Sequence, residues 1–255
     1  QVGMEVQPAH KESDVEEANP RDSGELLRSI EGVDAVRRGP VGLDPVIRGL
    51  RETEVGTYLD GTRIFPGGPA RMDSPLSHLD PSAIQSIEVV KGPYALTWGA
   101  GNMSAVKVET RPLNTLNQPF RGNISSGFDT NYNAFEESIS LMGNAGKVGY
   151  WVHGAWREGN DYTTGNGRNI SADFMSREVR GKAGYQISSA SSVNISAGYQ
   201  DQNDINYPGR LLNANYFHTT NMSVQYNYDP DNKLLKSFTL KAYVNDVQHA
   251  MDNNG

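Results

Sequence analysis

The chain contains no cysteine, which excludes both a disulfide framework and a thiolate metal site. It has no run of about 18 apolar residues, so no transmembrane helix can be drawn. Basic residues are in the minority, 23 Lys and Arg against 30 Asp and Glu, for a formal charge of −7. Without a basic block such a chain is a poor partner for nucleic acid, whose phosphates need clustered Lys and Arg. Apolar content is low as well, with a mean hydropathy of −0.58. That value argues against a helical membrane protein only, because a barrel with a wet lumen alternates apolar and polar residues and averages low.

What is present is 27 Gly and 13 Pro among 255 residues, arranged as two textures behind a polar end. Residues 1–20 are charged, lack apolar periodicity and read as a flexible tail. Inside that tail Val2, Gly3, Met4, Glu5 and Val6 make a short patch suited to adding as a strand to a partner's sheet edge. The chain starts at Gln1 without a leader and stops in a polar stretch at Gly255, which suits a mature protein or, as the strand count favours, a piece of a longer one.

Residues 21–112 read as a small mixed α/β domain of about 90 residues. Asp22-Ser23 supplies an N-cap, and Leu26, Leu27 and Ile30 line one side of a short helix that stops at Gly32. Brief β-like runs follow, among them Val55 to Leu59, which ends in the hairpin-turn dipeptide Asp60-Gly61. Asp80-Pro81 opens a second capped helical turn ahead of a strand at Ile87 to Val90, and Val106 to Thr110 closes the unit.

Residues 118–255 change to strict alternation over strands of about ten residues. Val193, Ile195, Ala197 and Tyr199 share one face against Asn194, Ser196 and Gly198, and Met222, Val224, Tyr226 and Tyr228 oppose Asn221, Ser223, Gln225 and Asn227. A period of two over that length means a strand with a different solvent on each face. About seven such strands are expected, with tight turns at 144–147, 188–192 and 229–233 alternating with long polar loops at 158–173 and 201–217. Short turns at one end and long loops at the other are the layout of an outer-membrane barrel. Tyr150, Trp151, Trp156, Tyr162 and Tyr207 suit either interfacial girdles or core positions. The expected fold is therefore a partial membrane β-barrel of about seven antiparallel strands preceded by a small mixed α/β domain. Seven strands cannot close around that domain, since large plugged barrels have about 22.

Read in order, Leu26-Leu27 with Gly32-Val33, Ile47-Arg48-Gly49, Leu59-Asp60-Gly61, Leu79-Asp80-Pro81, Ile84 to Val89, Lys91-Gly92-Pro93, Trp98-Gly99 and the closing Val106 to Arg111 strand resemble the plug domain of TonB-dependent outer-membrane receptors. Glu31-Gly32-Val33 stands where that family usually has Pro-Gly-Val, and Ala105-Val106-Lys107 where Gly-Gly-Val-Ile is common. Gly68 to Pro75 resembles the plug loop of the outer-membrane copper receptor branch, where a Cys-x-x-x-Met pair is implied as soft copper ligands. Met72 matches the Met, but Gly68 occupies the Cys position. A thioether alone is a weak soft ligand, so the resemblance supports a relative that carries another metal complex.

The resemblance implies energy-coupled uptake of a metal complex or siderophore-like nutrient across the outer membrane of a Gram-negative type cell, with a copper-specific receptor as the alternative. It implies the TonB-ExbB-ExbD energy-transducing complex and outer-membrane lipid as partners, Val2 to Val6 as the TonB-contacting peptide, and neither a catalytic residue nor a cofactor. The plug loop is the expected ligand site: Arg63, Phe65, Arg71 and Met72 could contact an anionic or soft-metal ligand, with Met72 as the metal ligand. This expectation takes the Asp60-Gly61 turn to project toward the extracellular mouth. The bland alternative is that Phe65 and Met72 pack the loop.

Other chemistry is poorly supported. The Gly99 to Ser104 run precedes a strand and lacks the third Gly of a dinucleotide fingerprint. His10, His78, His153, His218 and His249 show no close ligand spacing and read as exposed or lumen-facing. No nucleophile-elbow signature accompanies Ser, His and Asp. A secreted β-rich adhesin or carbohydrate-binding module would explain the alternation and aromatics, but not the plug-like half.

Overall fold

The computed structural model describes residues 6–11, 20–68, 70–100, 102–113, 120–230 and 236–253. The first part is built from β1 (Val6–Lys11), β2 (Val33–Arg37), β3 (Leu43–Ile47), β4 (Val55–Leu59), β5 (Thr62–Ile64), β6 (Ile84–Lys91) and β7 (Ser104–Thr110). One sheet runs β1-β6-β7-β4-β5, and β2 and β3 form a separate ribbon. The β4–β7 pair is parallel and the other pairs are antiparallel. The helical component consists of 3-10 turns, at Glu25–Leu27, Glu52–Glu54, Pro75–His78, Pro81–Ala83 and Pro93–Trp98. The Asp22-Ser23 N-cap is not formed at the first of these, whose N-cap is Gly24 with no side-chain bond; Asp22 makes an Asx turn just ahead of it, its carboxylate accepting from the amides of Gly24 at 2.9 Å and Glu25 at 3.2 Å. The stretch nevertheless stays a single 3-10 turn, as three residues give too few propagating hydrogen bonds to outweigh nucleation.

The flexible-tail expectation is corrected at 6–11. This segment is a strand, with Val6 opposite Val90 and Lys11 opposite Ser86. Pairing to a free sheet edge uses backbone groups, so side-chain periodicity gave no sign of it.

The second part contains β8 (Arg121–Asp129), β9 (Ala134–Ala145), β10 (Val148–Gly159), β11 (Tyr162–Thr163), β12 (Asn169–Ile170), β13 (Phe174–Ser188), β14 (Ser191–Ile205), β15 (Asn213–Tyr228) and β16 (Phe238–Asp252). Seven of these form one antiparallel sheet, β16-β15-β14-β13-β10-β9-β8, with sequence neighbours adjacent in space. The strands β9 to β16 of this wall run 12–16 residues, longer than the alternation indicated. The extra length lies at the long-loop end, where β14 reaches Ile205 and β15 starts at Asn213, so the expected loop 201–217 shrinks to 206–212. There both faces carry polar residues, Gln200 to Asp204 for example, and alternation disappears although pairing continues.

The outward face is apolar. Val152, Val179, Ile195, Val224 and Val244 are all exposed on it. Burying such side chains in a lipid-like solvent is worth about 1.5–3 kcal/mol each. The inward face is polar and lies against the plug: Lys182 Nζ donates to Asp60 Oδ1 at 2.9 Å, Arg157 Nε to Asp80 Oδ2 at 2.7 Å, and the Asp80 amide to Glu178 Oε2 at 2.9 Å. The plug core of Leu27, Ile47, Ile87, Val89 and Val106 extends to Met142 and Trp151 of the wall. Trp151 and Tyr207 are therefore core aromatics, whereas Trp156 is exposed on the outer face.

His78 departs from the exposed or lumen-facing reading, being fully buried within the plug. Its Nδ1 is 2.9 Å from Thr219 Oγ1, and its Nε2 is 3.3 Å from Asp73 Oδ2. Polar partners on both sides make a buried imidazole tolerable.

Candidate functional site

The chain reverses after β4 in a two-residue turn, with Leu59 paired to Thr62 and positive φ at both Asp60 (48°) and Gly61 (75°). This is the geometry an Asp-Gly dipeptide favours. The direction of the hairpin corrects the expectation. Asp60 contacts Lys182 and Lys241, which lie toward the short-turn ends of β13 and β16, so the turn points away from the long loops. Turn chemistry sets the reversal, while packing sets where it points. Burial alone would raise the Asp60 pKa, but the Lys182 charge and hydrogen bonds from Lys182 and Thr110 outweigh it and hold the carboxyl below the usual range.

From β5 the plug loop climbs along β16 toward the long-loop end. The Arg63 carbonyl accepts from Asn245 Nδ2 at 2.6 Å, and the Arg63 guanidinium lies 4.8 Å from the Phe65 ring centroid. Phe65 is 57% exposed. Higher up, Gly68 packs directly on the His249 ring, where an added Cβ would come within 2.4 Å. Asp73 accepts from the amides of Gly67 and Gly68. Burial pushes its pKa up, yet the hydrogen bond and charge of His78 hold it below the usual range.

Arg71 and Met72 are brought to a different place from Arg63 and Phe65. Arg71 is buried with φ of 50° and donates from Nε and an Nη to the two oxygens of Asp44, at 2.9 and 2.7 Å. Both donors are thus used within the plug. Met72 is half-buried against the cluster of Val41, Phe174, Ile205, Tyr207, Ala214 and Phe217, and its carbonyl accepts from Tyr207 Oη at 3.1 Å. Among the described residues no group of three His, Cys, Asp or Glu could hold a metal ion. Of the residues expected to contact TonB, Val2, Gly3, Met4 and Glu5 lie outside the described residues, and Val6 begins β1.

A cavity of about 330 Å3 opens at the long-loop end between plug and wall. The plug lines it with Arg21, Arg37, Arg38, Gly39 and Pro40; the wall adds Asn131 and Tyr132, then Asn160, Tyr162 and Ala172, then Tyr207, Pro208 and Arg210. That size is within the range of small-ligand pockets, and the convergence of several chain segments is typical of them. Arg71 and Met72 stand behind its lining, through Asp44 to Arg38 (3.7 Å) and through Tyr207. Arg37 is ion-paired to both Asp22 and Glu25, and Arg38 to Glu52 at 3.2 Å. Burial lifts the Asp22 pKa above the usual range despite the Arg37 charge, and burial raises the Tyr207 hydroxyl as well. Arg210, in a Pro-Gly-Arg loop, carried no sequence signal.

Residues 8–106 match the family model of the TonB-dependent receptor plug domain. The chain is 27% identical over 188 residues to a hemin receptor of Yersinia pestis, covering 72% of this chain and 27% of that protein. It is 31% identical over 186 residues to heme/hemopexin utilization protein C of Haemophilus influenzae, covering 68% and 24%. Among solved structures it is similar to copper transporter OprC, with TM-score 0.87 at 22% identity over 98% of this chain and 38% of that one. A ferric enterobactin receptor gives TM-score 0.75 at 16% identity, over 98% and 41%. The structural likeness shows a shared fold, and the chain spans about a quarter of the length of these curated relatives. Residues 8–106 thus belong to the TonB-dependent receptor plug domain family, and a seven-stranded antiparallel wall packed on that plug follows them.

Proposed function

We propose that the full-length protein is an outer-membrane receptor that takes up a metal complex or siderophore-like nutrient, with residues 21–112 as the plug and 118–255 as the first part of the barrel wall. The observation that carries this reading is the cavity bounded by the plug on one side and by three wall loops on the other. The apolar outward face of the wall supports placement in outer-membrane lipid, and it disfavours a secreted adhesin or carbohydrate-binding module, which would present that face to water. No catalysis is assigned to the chain.

Energy enters through the TonB-ExbB-ExbD complex, with Val2 to Val6 as the contacting strand. Arg63 and Phe65 form a second ligand contact, supported by the guanidinium-over-ring geometry. Met72 is the metal ligand in the copper-specific alternative.

The test is growth of a receptor-deletion strain with hemin or a ferric chelate as sole iron source, and under copper limitation. Restoration by the full-length gene on an iron complex supports the reading. Restoration under copper limitation alone, abolished by Met72→Ala, supports the alternative. Growth indifferent to the gene in all media rejects both.

A further inference from the structure

The loop between β11 and β12 carries a chemistry that uptake does not use. Asn followed by Gly occurs twice in the chain, at Asn166-Gly167 and at Asn254-Gly255, and the second pair lies outside the described residues. Asn166 and Gly167 are exposed at the tip of the β11–β12 hairpin, with Gly167 at φ of 82°. Gly167 has no Cβ and open space around it, so nothing shields its backbone nitrogen from the Asn166 side chain. The Thr164 hydroxyl lies 2.6 Å from Asn166 Oδ1 and 2.9 Å from the Arg168 carbonyl. A hydroxyl has one proton to donate, and the shorter contact takes it. That donor sits on the oxygen which gains negative charge when the amide carbon is attacked. The turn is closed by the Gly167 amide on the Thr164 carbonyl at 2.8 Å and by the Thr164 amide on the Arg168 carbonyl at 2.9 Å.

We propose that Asn166 is a self-modification site, at which the protein deamidates and the β11–β12 loop opens. The Gly167 nitrogen, its proton released to hydroxide, attacks Asn166 Cγ. A Cγ–N bond forms, the Cγ–Nδ2 bond breaks, and ammonia leaves with a proton taken from water. Water then opens the five-membered succinimide at either carbonyl. One opening gives aspartate in an unchanged backbone; the other gives isoaspartate, with one extra carbon in the main chain. The attack requires the Gly167 amide to leave the Thr164 carbonyl, an opening that an exposed loop tip makes readily. Aspartate keeps the Thr164 bond and strengthens it by charge. Isoaspartate lengthens the chain inside a turn held by two backbone bonds, and the Gly167-to-Thr164 bond is lost. The loop gains a negative charge on either route and opens on the second.

The experiment incubates the purified full-length protein in detergent at mildly alkaline pH. Mass spectrometry follows the peptide that contains residue 166, and limited proteolysis follows the intact protein. Wild type is expected to gain the mass of an amide exchanged for an acid at this peptide, faster as pH rises, and to become cleavable between residues 163 and 169. Thr164→Ser keeps the rate, and Thr164→Val lowers it about tenfold, the scale of one charge-assisted hydrogen bond. Asn166→Gln, whose ring closure is six-membered and slow, shows no exchange and stays uncut. Residues 164 and 166 lie at a loop tip outside the cores, so the variants leave the fold intact, and an unchanged thermal melt in the same detergent checks this. Absence of mass gain at this peptide, a Thr164→Val rate equal to or above wild type, or an exchanged loop that proteases leave uncut overturns the proposal. Growth on an iron complex, which tests the receptor reading, is indifferent to each of these outcomes.

Discussion

The Asp60 carboxylate at the tip of a plug hairpin accepts a hydrogen bond from the Lys182 ammonium of the wall at 2.9 Å, and the same carboxylate accepts from the Thr110 amide and hydroxyl at 2.9 and 2.7 Å. One turn residue thus ties two plug strands and the barrel wall together. Lys182→Met should weaken seating of the plug by about 2 kcal/mol, the scale of a hydrogen bond to a charged group. Urea-dependent proteolysis of the plug in the full-length receptor measures it, and an unchanged midpoint would refute the assignment.

The same contact sets a pH dependence. The folded Asp60 pKa is depressed, so its contribution is fully present above the unfolded carboxylate value of about 3.9 and is lost as pH falls through the lower folded value. Plug release should increase below about pH 4 in wild type. Asp60→Asn should remove the part of that acid response due to this group, leaving the remainder to carboxylates such as Asp80, also held below the usual range.

The bidentate Arg71–Asp44 pair is buried on both sides, so removing either partner strands a charge. Asp44→Asn should destabilise the plug by about 3–5 kcal/mol, and more than the double change Asp44→Asn with Arg71→Met. A thermal melt of the four proteins in one detergent provides the cycle. Simple additivity would show that the two residues act independently.

Gly39 combines a φ of 135° with contact to the Tyr207 ring, where an added Cβ would come within 2.4 Å. Gly39→Ala should push Tyr207 off the cavity edge, at a cost of about 1–3 kcal/mol, and lower ligand affinity with it. Loss of stability without loss of affinity would place the cavity elsewhere.

Residues 116–255 expressed alone should aggregate in buffer, because β8 and β16 are open edges and one face is apolar. A monodisperse, cooperatively melting protein without detergent would contradict the membrane reading.

The sequence by itself determined most of the architecture. Strict alternation in β13 to β16 fixed which residues face out, since a strand has only two faces and a one-residue slip would turn every Val and Ile toward the polar side. Asp60-Gly61 fixed the β4–β5 hairpin, and Asp80 fixed a capped turn. All of these are local: each depends on backbone preference or on period within a few residues.

The tertiary structure alone decided which side chains meet. Arg71 reads in the sequence as a candidate ligand contact, but nothing there says which carboxylate it meets, and Asp44, 27 residues away, consumes it. Arg210 reads as an ordinary loop residue, and it becomes a cavity wall only because loop 206–212 folds over Gly39 and Pro40 of the plug. The β1 strand and the polar upper ends of β14 and β15 were invisible for a related reason. Their stability comes from backbone pairing with partners remote in sequence, and such pairing leaves no mark on the pattern of side chains.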